Sequence, residues 1–386
     1  MKKKVAIFTG TRAEYGLLYW LMSDIQSDKN LELQLLVSGM HLSFEFGETF
    51  KEIEEDGFVI DEKIEMLLSS NTAIGTAKSI GLGVLGFADA FNRLAPDMLV
   101  VLGDRFEALA AAQTAMIMRI PVLHIHGGEI TEGAYDDSIR HAITKFSYLH
   151  ATSTEEHKNR VIQLGESPNR VFNVGAIGLD YIFRGTFMSL EELSLSLDFK
   201  INKNYLIVTY HSATLSNEDP ELTYKNILNA IESFKEYQII LTYPNADDGG
   251  RNIIPLIEAY ASKDPNRIFA IPSLGHIRYL SALKFASAII GNSSSGIIEA
   301  PSFNVPSINV GSRQQGRIAA GSVINCDTDV DSIRSAMTTA LKSDFKDLHK
   351  NTSNPYGQGN VSKKVIEIIK SFSYTAAKNF HNIKNI

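Results

Sequence analysis

The sequence holds a single cysteine, Cys326. One thiol closes no intramolecular disulfide and leaves no cysteine cluster for a zinc site, so a reducing compartment fits. No run of about 18 apolar residues occurs, and no membrane span is expected. The start, Met1-Lys2-Lys3-Lys4 before Val5-Ala6-Ile7-Phe8, looks like a secretory signal. Its apolar run stops at Thr9-Gly10-Thr11-Arg12, too short for a signal core, and the chain reads as cytoplasmic. Basic charge is not in excess: the formal net charge is −7, which argues against a general nucleic-acid binder. A local basic pocket for a phosphorylated small molecule is compatible with it. Also absent are short repeats, low-complexity stretches and the G-x-S-x-G nucleophile elbow, and the glycine turn after the first apolar run is not a G-x-G-x-x-G dinucleotide fingerprint.

What is present alternates. At 386 residues the chain is long enough for two domains, each with its own core. Strands are predicted over Lys4–Thr9, Leu31–Ser38, Asp97–Leu102, Pro121–His126, Leu149–Ser153 and Arg170–Val174. Helices are predicted over Tyr15–Ser27, Phe106–Met118 and Ile139–Tyr148. A polar hinge, Phe183–Asn204, precedes a restart. Strands follow at Tyr205–Thr209, Gln238–Thr242, Ile268–Ile271, Ala288–Ile290 and Ser307–Val310, with a helix over Asn226–Phe234. Val361–Phe372 reads as an amphipathic helix, and Tyr374–Ile386 as a polar, loosely held tail. Strands alternating with helices imply an α/β fold of parallel sheets covered on both faces. Ligands of such sheets sit beyond the carboxyl ends of the strands.

Polar and glycine motifs cluster at those ends. Thr9-Gly10-Thr11-Arg12-Ala13-Glu14-Tyr15 follows the first strand. The helix start offers N–H groups to an anion, and Arg12 adds a forked cation. A plain turn with a surface arginine fits equally well. Next come Gly103-Asp104-Arg105-Phe106-Glu107. Asp104 is either a helix cap or a proton-transfer carboxylate, and Arg105 can hold phosphate. The densest group is His124-Ile125-His126-Gly127-Gly128-Glu129, followed by Asp136-Asp137-Ser138-Ile139-Arg140-His141. His124 and His126 share one strand face, and His124 reads first as a hydrogen-bonded core residue. The glycine pair implies a close approach to the backbone, and one aspartate of the pair caps the helix. Two imidazoles and three carboxylates suit general acid–base chemistry. The spacing matches no recognised metal-ligand pattern.

In the second half, His211 ends one strand, where it can donate to phosphate or simply face solvent, and Asn245 lies in the loop after another. Gly291-Asn292-Ser293-Ser294-Ser295-Gly296-Ile297-Ile298-Glu299 runs strand, small-residue loop, helix. Amides, hydroxyls and the helix dipole there converge on an anion. Glu299 is placed to accept both hydroxyls of a ribose. Gly311-Ser312-Arg313-Gln314-Gln315-Gly316-Arg317 follows the next strand. Serine-rich loops are often only turns, yet this pair of motifs is the most specific signal in the chain.

The phrases GTRAEYG, GDRFE, HGGE, DDSIRHAITK, GNSSSGIIE and GSRQQGR, in that order and reaching to about Phe372, resemble the UDP-N-acetylglucosamine 2-epimerase family. They look closest to its hydrolysing branch. LHIHGGEITEGAYDDSIRHAITK is most similar to bacterial enzymes acting on UDP-N,N′-diacetylbacillosamine, which feed legionaminic-acid synthesis. The resemblance implies two Rossmann-like domains facing a cleft, as in GT-B glycosyltransferases. The expected domains are residues 1–182 with a C-terminal helix, 356–386, crossing back, and residues 183–355. It implies a UDP-sugar substrate, UDP as product, and neither cofactor nor metal. A homo-oligomer, dimer or tetramer, is expected from the frequency of such assemblies.

The implied reaction is anti elimination of UDP to a glycal, then addition of water, giving a free sugar inverted at C2. By the same resemblance Asp104 handles the C2 proton and Asp136 is a second catalytic carboxylate. Arg12, Arg105 and His211 hold the pyrophosphate, and His211 helps the leaving group. Asn245 lines the cleft, the loop Ser293, Ser294, Ser295 and Gly296 binds phosphate, Glu299 binds ribose, and Arg313 faces the nucleotide-sugar. One position departs from the pattern. Many relatives carry a catalytic glutamate where this chain has His126, so the duty falls to His126, to Glu129 or to the two aspartates. Three rivals share the pocket: a non-hydrolysing 2-epimerase, a GT-B glycosyltransferase and a UDP-sugar sensor without chemistry.

Overall fold

Val5, Ala6, Ile7 and Phe8 are all buried in strand β1 (Lys3–Thr9). Val5 and Ile7 join one hydrophobic cluster, Ala6 and Phe8 another. A strand covered by helices on both faces needs this continuous apolar run. The computed structural model describes residues 2–68, 72–131, 135–211, 218–244, 252–350, 352–375 and 377–383. They form two compact units, Met1–Phe183 with Gly359–Ile386, and Arg184–Gln358.

The first unit holds β1, β2 (Leu31–Ser38), β3 (Glu62–Ile64), β4 (Met98–Leu102), β5 (Val122–Ile125), β6 (Leu149–Thr152) and β7 (Val171–Asn173). They pair in the order β3-β2-β1-β4-β5-β6-β7. The second holds β8 (Tyr205–Thr209), β9 (Gln238–Thr242), β10 (Ile268–Ile271), β11 (Ala288–Gly291), β12 (Ser307–Val310) and β13 (Val323–Cys326), in the order β10-β9-β8-β11-β12-β13. All these pairs are parallel. Both halves are therefore Rossmann-like, as the alternation implied. In each, the strand order reverses beside the unit's first strand, at β1/β4 and at β8/β11. Ligands of open α/β sheets bind beyond the carboxyl ends at such points.

Among the elements the sequence reading did not place are β3, β13 and the 22-residue helix Ala73–Leu94. That helix contains Gly75, Gly81, Gly83 and Gly86, each disfavouring a helix by about 1 kcal/mol relative to alanine. Packing overrides the propensity. A Cβ on Gly83 would lie 2.7 Å from Met66 Cε and 3.0 Å from Ala110 Cβ, and one on Gly86 would lie 2.6 Å from Ile64 Cγ2. The missing side chains let the helix sit close against β3 and the helix Phe106–Ile117.

The expected hinge is not wholly irregular. Ser189 and Glu192 form a capping box that opens the helix Leu190–Leu197 within it. The C-terminal helix Val361–Ser371 crosses back to the first unit. Its N–H groups at Val361 and Ser362 each donate to an Asp180 oxygen at 2.7 Å. Lys3 Nζ closes the other end on the carbonyls of Ile369 and Phe372, at 2.7 and 3.2 Å. The tail is held as well, contrary to the sequence expectation. Lys378 Nζ donates to the carbonyls of Lys145 and Ser147 (2.6 and 2.8 Å) and to Glu166 Oε1 (3.0 Å). The His381 N–H donates to the Gly165 carbonyl at 2.8 Å. Among the described residues no helix is long and apolar enough to cross a membrane.

Candidate active site

Gly103, at φ +74°, turns the chain out of β4 and presents Asp104. Arg140, buried on the helix Tyr135–Phe146, donates Nη2 to Asp104 Oδ2 and to Thr131 Oγ1, the latter at 3.0 Å. Its Nε and Nη1 have no hydrogen-bond partner among the described residues. A buried cation is thus matched mainly to Asp104. Asp136, half-buried in the first turn of that helix, holds its proton more tightly than an ordinary aspartate. Burial is the main cause and the Asp104 charge the second; Arg105 and Arg140 oppose them. Two neighbouring carboxylates of this kind can divide the taking and giving of a proton. Asp137 accepts the Thr131 N–H at 2.8 Å and faces His141 Nε2 at 3.3 Å, which fixes the loop before the helix.

Arg105 forks onto the fully buried Glu107, Nε to Oε2 at 3.1 Å and Nη2 to Oε1 at 2.9 Å. Nearby Glu14 is raised to about 7 by burial, with Arg105 as the main opposing charge. Its Oε2 accepts the N–H groups of Gly10 (2.8 Å) and Thr11 (3.1 Å), while Thr11 Oγ1 accepts the Glu14 N–H (3.3 Å). This capping box corrects the first motif: the amides expected to face an anion are occupied by the chain's own carboxylate. Arg12 instead pairs with Glu52 at 3.0 Å, with side chains 54% and 44% exposed. Exposed pairs contribute about 0–1 kcal/mol, so a phosphate can displace this one at little cost.

His124 is the core histidine of the sequence reading. It is fully buried, with Nε2 on the Gly103 carbonyl (2.7 Å) and Nδ1 beside Thr144 Oγ1 (3.1 Å), and burial lowers it to about 3. His126 has φ +65°, uncommon outside glycine though histidine is among the side chains that adopt it more readily. Its Nε2 accepts the Ile177 N–H at 3.2 Å, so the ring proton sits on Nδ1, which faces Glu129 Oε1 at 3.4 Å. Glu129 also accepts from Ser153 Oγ at 2.8 Å, and Ser153 lies 2.8 Å from His157 Nδ1. The close neighbour expected at the glycine pair is the helix Glu155–Gln163: a Cβ on Gly128 would lie 2.3 Å from the His157 carbonyl.

In the second unit Thr209 of β8 pairs with Gly291 of β11, so both strands end together. Asn292 then clasps the His211 backbone: Oδ1 accepts its N–H and Nδ2 donates to its carbonyl, both at 2.8 Å. The Asn292 carbonyl accepts from Arg313 Nη1 (3.0 Å) and Gln314 Nε2 (2.8 Å). One residue therefore brings His211, Arg313 and the serine loop together. Ser293 and Ser294 precede the short helix Ser295–Ile298, whose Gly296 packs against Ser307 where a Cβ would be 2.4 Å from Oγ. The carboxyl of Glu299 is raised by burial, with Arg317 opposing. His211 is lowered to about 4 by burial and by the Arg313 charge, and is neutral near pH 7. Neutral imidazole, guanidinium and serine turn form an arrangement able to hold a diphosphate. Asn245 lies outside the described residues. Among the described residues no group of histidine, cysteine and carboxylate side chains could hold a metal ion.

The sequence reading missed the parts played by Arg140, Asn292 and Glu14. The last was legible, since Thr11-x-x-Glu14 is a capping-box signature. The other two act through partners far away in sequence.

Buried histidines also set the pH response. His41, His124, His157 and His211 are lowered to about 4, 3, 4 and 4, each chiefly by burial. Below about pH 6.5 the unfolded chain takes up protons that the folded chain refuses, so stability falls as pH drops through about 6.5 to 4. Glu14 runs the other way. Its folded carboxyl holds a proton up to about 7, a stabilisation that fades as pH rises from about 4.5 to 7. Asp61, Asp136 and Glu299, also raised by burial, act with Glu14, and His150, lowered by burial, acts with the other histidines. The five lowered imidazoles outnumber the four raised carboxyls, so the urea midpoint should be lower at pH 5 than at pH 7. A higher midpoint at pH 5 would mean that these rings reach water.

Residues 23–370 match the family described as UDP-N-acetylglucosamine 2-epimerase. The chain is 42% identical over 345 residues, 89% of each sequence, to a GDP/UDP-N,N′-diacetylbacillosamine 2-epimerase (hydrolyzing) of Campylobacter jejuni. It is 36% identical over 372 residues, 96% of each, to the UDP-N,N′-diacetylbacillosamine 2-epimerase (hydrolyzing) of Legionella pneumophila. Its fold is similar to that of the UDP-GlcNAc 2-epimerase of Neisseria meningitidis solved with UDP-GlcNAc: TM-score 0.82, 18% identity, 96% of this chain and 100% of that one.

Proposed function

Because the chain belongs to the UDP-N-acetylglucosamine 2-epimerase family, we propose that it is a hydrolysing 2-epimerase of a UDP-2-acetamido sugar, with UDP-N,N′-diacetylbacillosamine as substrate. The observation that carries the chemistry is the Asp104–Asp136 pair at the carboxyl end of the first sheet, flanked by Arg105 and Arg140. Asp104 takes the proton from C2 as the C1–O bond breaks and its electron pair leaves with UDP. A C1–C2 double bond results. C2 then receives a proton on the opposite face from Asp136, the carboxyl that holds one more tightly, and water adds its oxygen to C1. The proton that water gives up restores Asp136, and Asp104 releases its own with the departing UDP. The sum is UDP-sugar plus water to UDP plus a C2-inverted sugar, with no metal or redox step.

His126 and Glu129 are read as support, since His126 Nε2 accepts a backbone N–H and Glu129 is tied to Ser153. The loop Ser293–Gly296, with His211, Arg313 and Glu299, is read as the UDP holder. His211, uncharged, donates a hydrogen bond rather than a charge to the leaving phosphate. Arg12 and Arg105 are read as further phosphate contacts. The setting is read as cytoplasmic, the product as a precursor of legionaminic- or sialic-type nonulosonates, and the working form as a homo-oligomer. Ile74, Leu82 and Leu85, exposed on one helix, supply apolar surface for assembly.

Product analysis by NMR in D₂O, without metal or acceptor, tests the reading. UDP-N,N′-diacetylbacillosamine and UDP-N-acetylglucosamine are supplied in parallel. UDP plus a free C2-inverted sugar carrying deuterium at C2 is expected. Intact UDP-sugar with deuterium at C2 would put the chain in the non-hydrolysing branch. UDP release only with an added acceptor would make it a glycosyltransferase, and binding without turnover a sensor.

A further inference from the structure

A cavity of about 620 Å³ opens in the first unit, lined in part by chain neighbours of the carboxylate pair. Arg105 and Phe106, which follow Asp104, form part of its wall, as do Tyr135 and Ile139 on either side of Asp136. The rest is mainly apolar, with Met40, Leu67 and Ile80 among its lining, and Ser43, Glu45, Thr72, Thr76 and Ser79 supply its polar groups. Arg105 adds little polarity, because Nε and Nη2 are turned onto Glu107. Phe46 and Leu68, also lining, remain 41% and 36% exposed, large apolar groups with open space beside them. The volume lies within the range of small-molecule sites.

Resting on the proposed reaction, we infer that this cavity is the specificity pocket for the part of the sugar that does not react, the substituents at C4 and C6. A sugar whose C1–C2 bond lies at Asp104 and Asp136 projects its far edge away from those carboxylates, and the cavity wall begins at their immediate chain neighbours. N-acetylglucosamine carries hydroxyls at C4 and C6, which lose water in a mainly apolar wall and must each find one of its few polar groups. A 4-acetamido-6-deoxy sugar carries a methyl at C6 and an acetyl methyl at C4 instead, and its C4 amide has the lining's serine and threonine hydroxyls to meet. A methyl group in an apolar pocket discriminates by about 10–200-fold. The pocket therefore selects the diacetylated, deoxygenated sugar, and Ile80, Leu67 and Phe46 set the selection without touching the reacting atoms.

The test compares kcat/KM and, separately, calorimetric affinity for the two UDP-sugars, using the intact protein and its Phe46→Ser and Ile80→Thr variants. Phe46 is surface-exposed on a short turn, so its replacement leaves the core alone; Ile80→Thr keeps the β-branch while losing the terminal methyl and gaining a hydroxyl. The intact protein should prefer UDP-N,N′-diacetylbacillosamine by at least about 10-fold. Each variant should narrow that preference several-fold by losing the diacetylated substrate, with UDP affinity unchanged. Equal losses on both sugars would place the shared C2 acetamido group in the cavity and overturn the inference, as would an unchanged preference. Affinity reads the pocket even if neither sugar is turned over, so failure of the reaction and failure of the pocket give different results.

Discussion

Asp104→Asn should slow UDP release from the sugar nucleotide by about 10²–10⁴-fold, the usual loss for one acid–base group, with UDP affinity nearly unchanged. The amide keeps an oxygen for Arg140 but loses the charge and the ability to take a proton. Arg140 is buried, and its Nε and Nη1 find no other partner among the described residues. Leaving a buried charge unmatched costs about 3–5 kcal/mol in enclosed pairs. Asp104 is 25% exposed, so water offsets part of that here. A thermal melt alongside the assay separates lost chemistry from lost fold. A second readout belongs to the acid–base role alone. The Asp104 charge is one cause of the raised Asp136 carboxyl. Removing it lets Asp136 give up its proton at lower pH, so the alkaline limb of the residual rate profile, above which Asp136 has no proton to donate, should move down. A fall in rate accompanied by collapse of UDP affinity would make Asp104 an anchor for Arg140 and nothing more.

The strands were legible because their signal is local. Tyr205–Thr209 and Gln238–Thr242 are short apolar runs between polar ends, and both coincide with observed strands. Helix Ala73–Leu94 was not, because its glycines signal the reverse of its conformation unless Met66, Ala110 and Ile64 are already known to lie against them. The site divides in the same way. Which strand ends carry chemistry was readable from where polar residues and glycines gather. How the groups pair was not: Arg140 meets Asp104 across 36 residues, and Asn292 meets His211 across 81. The tail carries the same lesson, since Lys378 is anchored by residues more than 200 positions earlier. Composition near Tyr374–Ile386 says polar and therefore loose; a lysine with three oxygen acceptors says otherwise.

Gly291→Ala is the harshest test of the nucleotide half. Gly291 has φ +132°, and a Cβ there would lie 2.0 Å from the Thr209 carbonyl oxygen, the backbone of the neighbouring strand. No side-chain rotation relieves that clash, so β8 and β11 must separate at their carboxyl ends. The Asn292 N–H, which donates to the same Thr209 carbonyl at 3.2 Å, moves with them. Asn292 then loses its grip on the His211 backbone and its contacts to Arg313 and Gln314. The expected cost is about 4 kcal/mol or more, at the extreme of single substitutions, with UDP affinity down by about 100-fold, equivalent to about 3 kcal/mol. Gly316→Ala is the matched control: φ is also positive, at +82°, but nothing lies within 4 Å of the added carbon. Left-handed strain alone costs about 1–2 kcal/mol, so it should bind UDP almost normally. The single tryptophan, Trp20, lies in the first unit. Its fluorescence transition should therefore stay in place for Gly291→Ala while far-ultraviolet circular dichroism shows part of the chain melting early. If the variant instead binds UDP like the parent protein, the nucleotide does not rest at the end of β11, and the serine loop is only a turn.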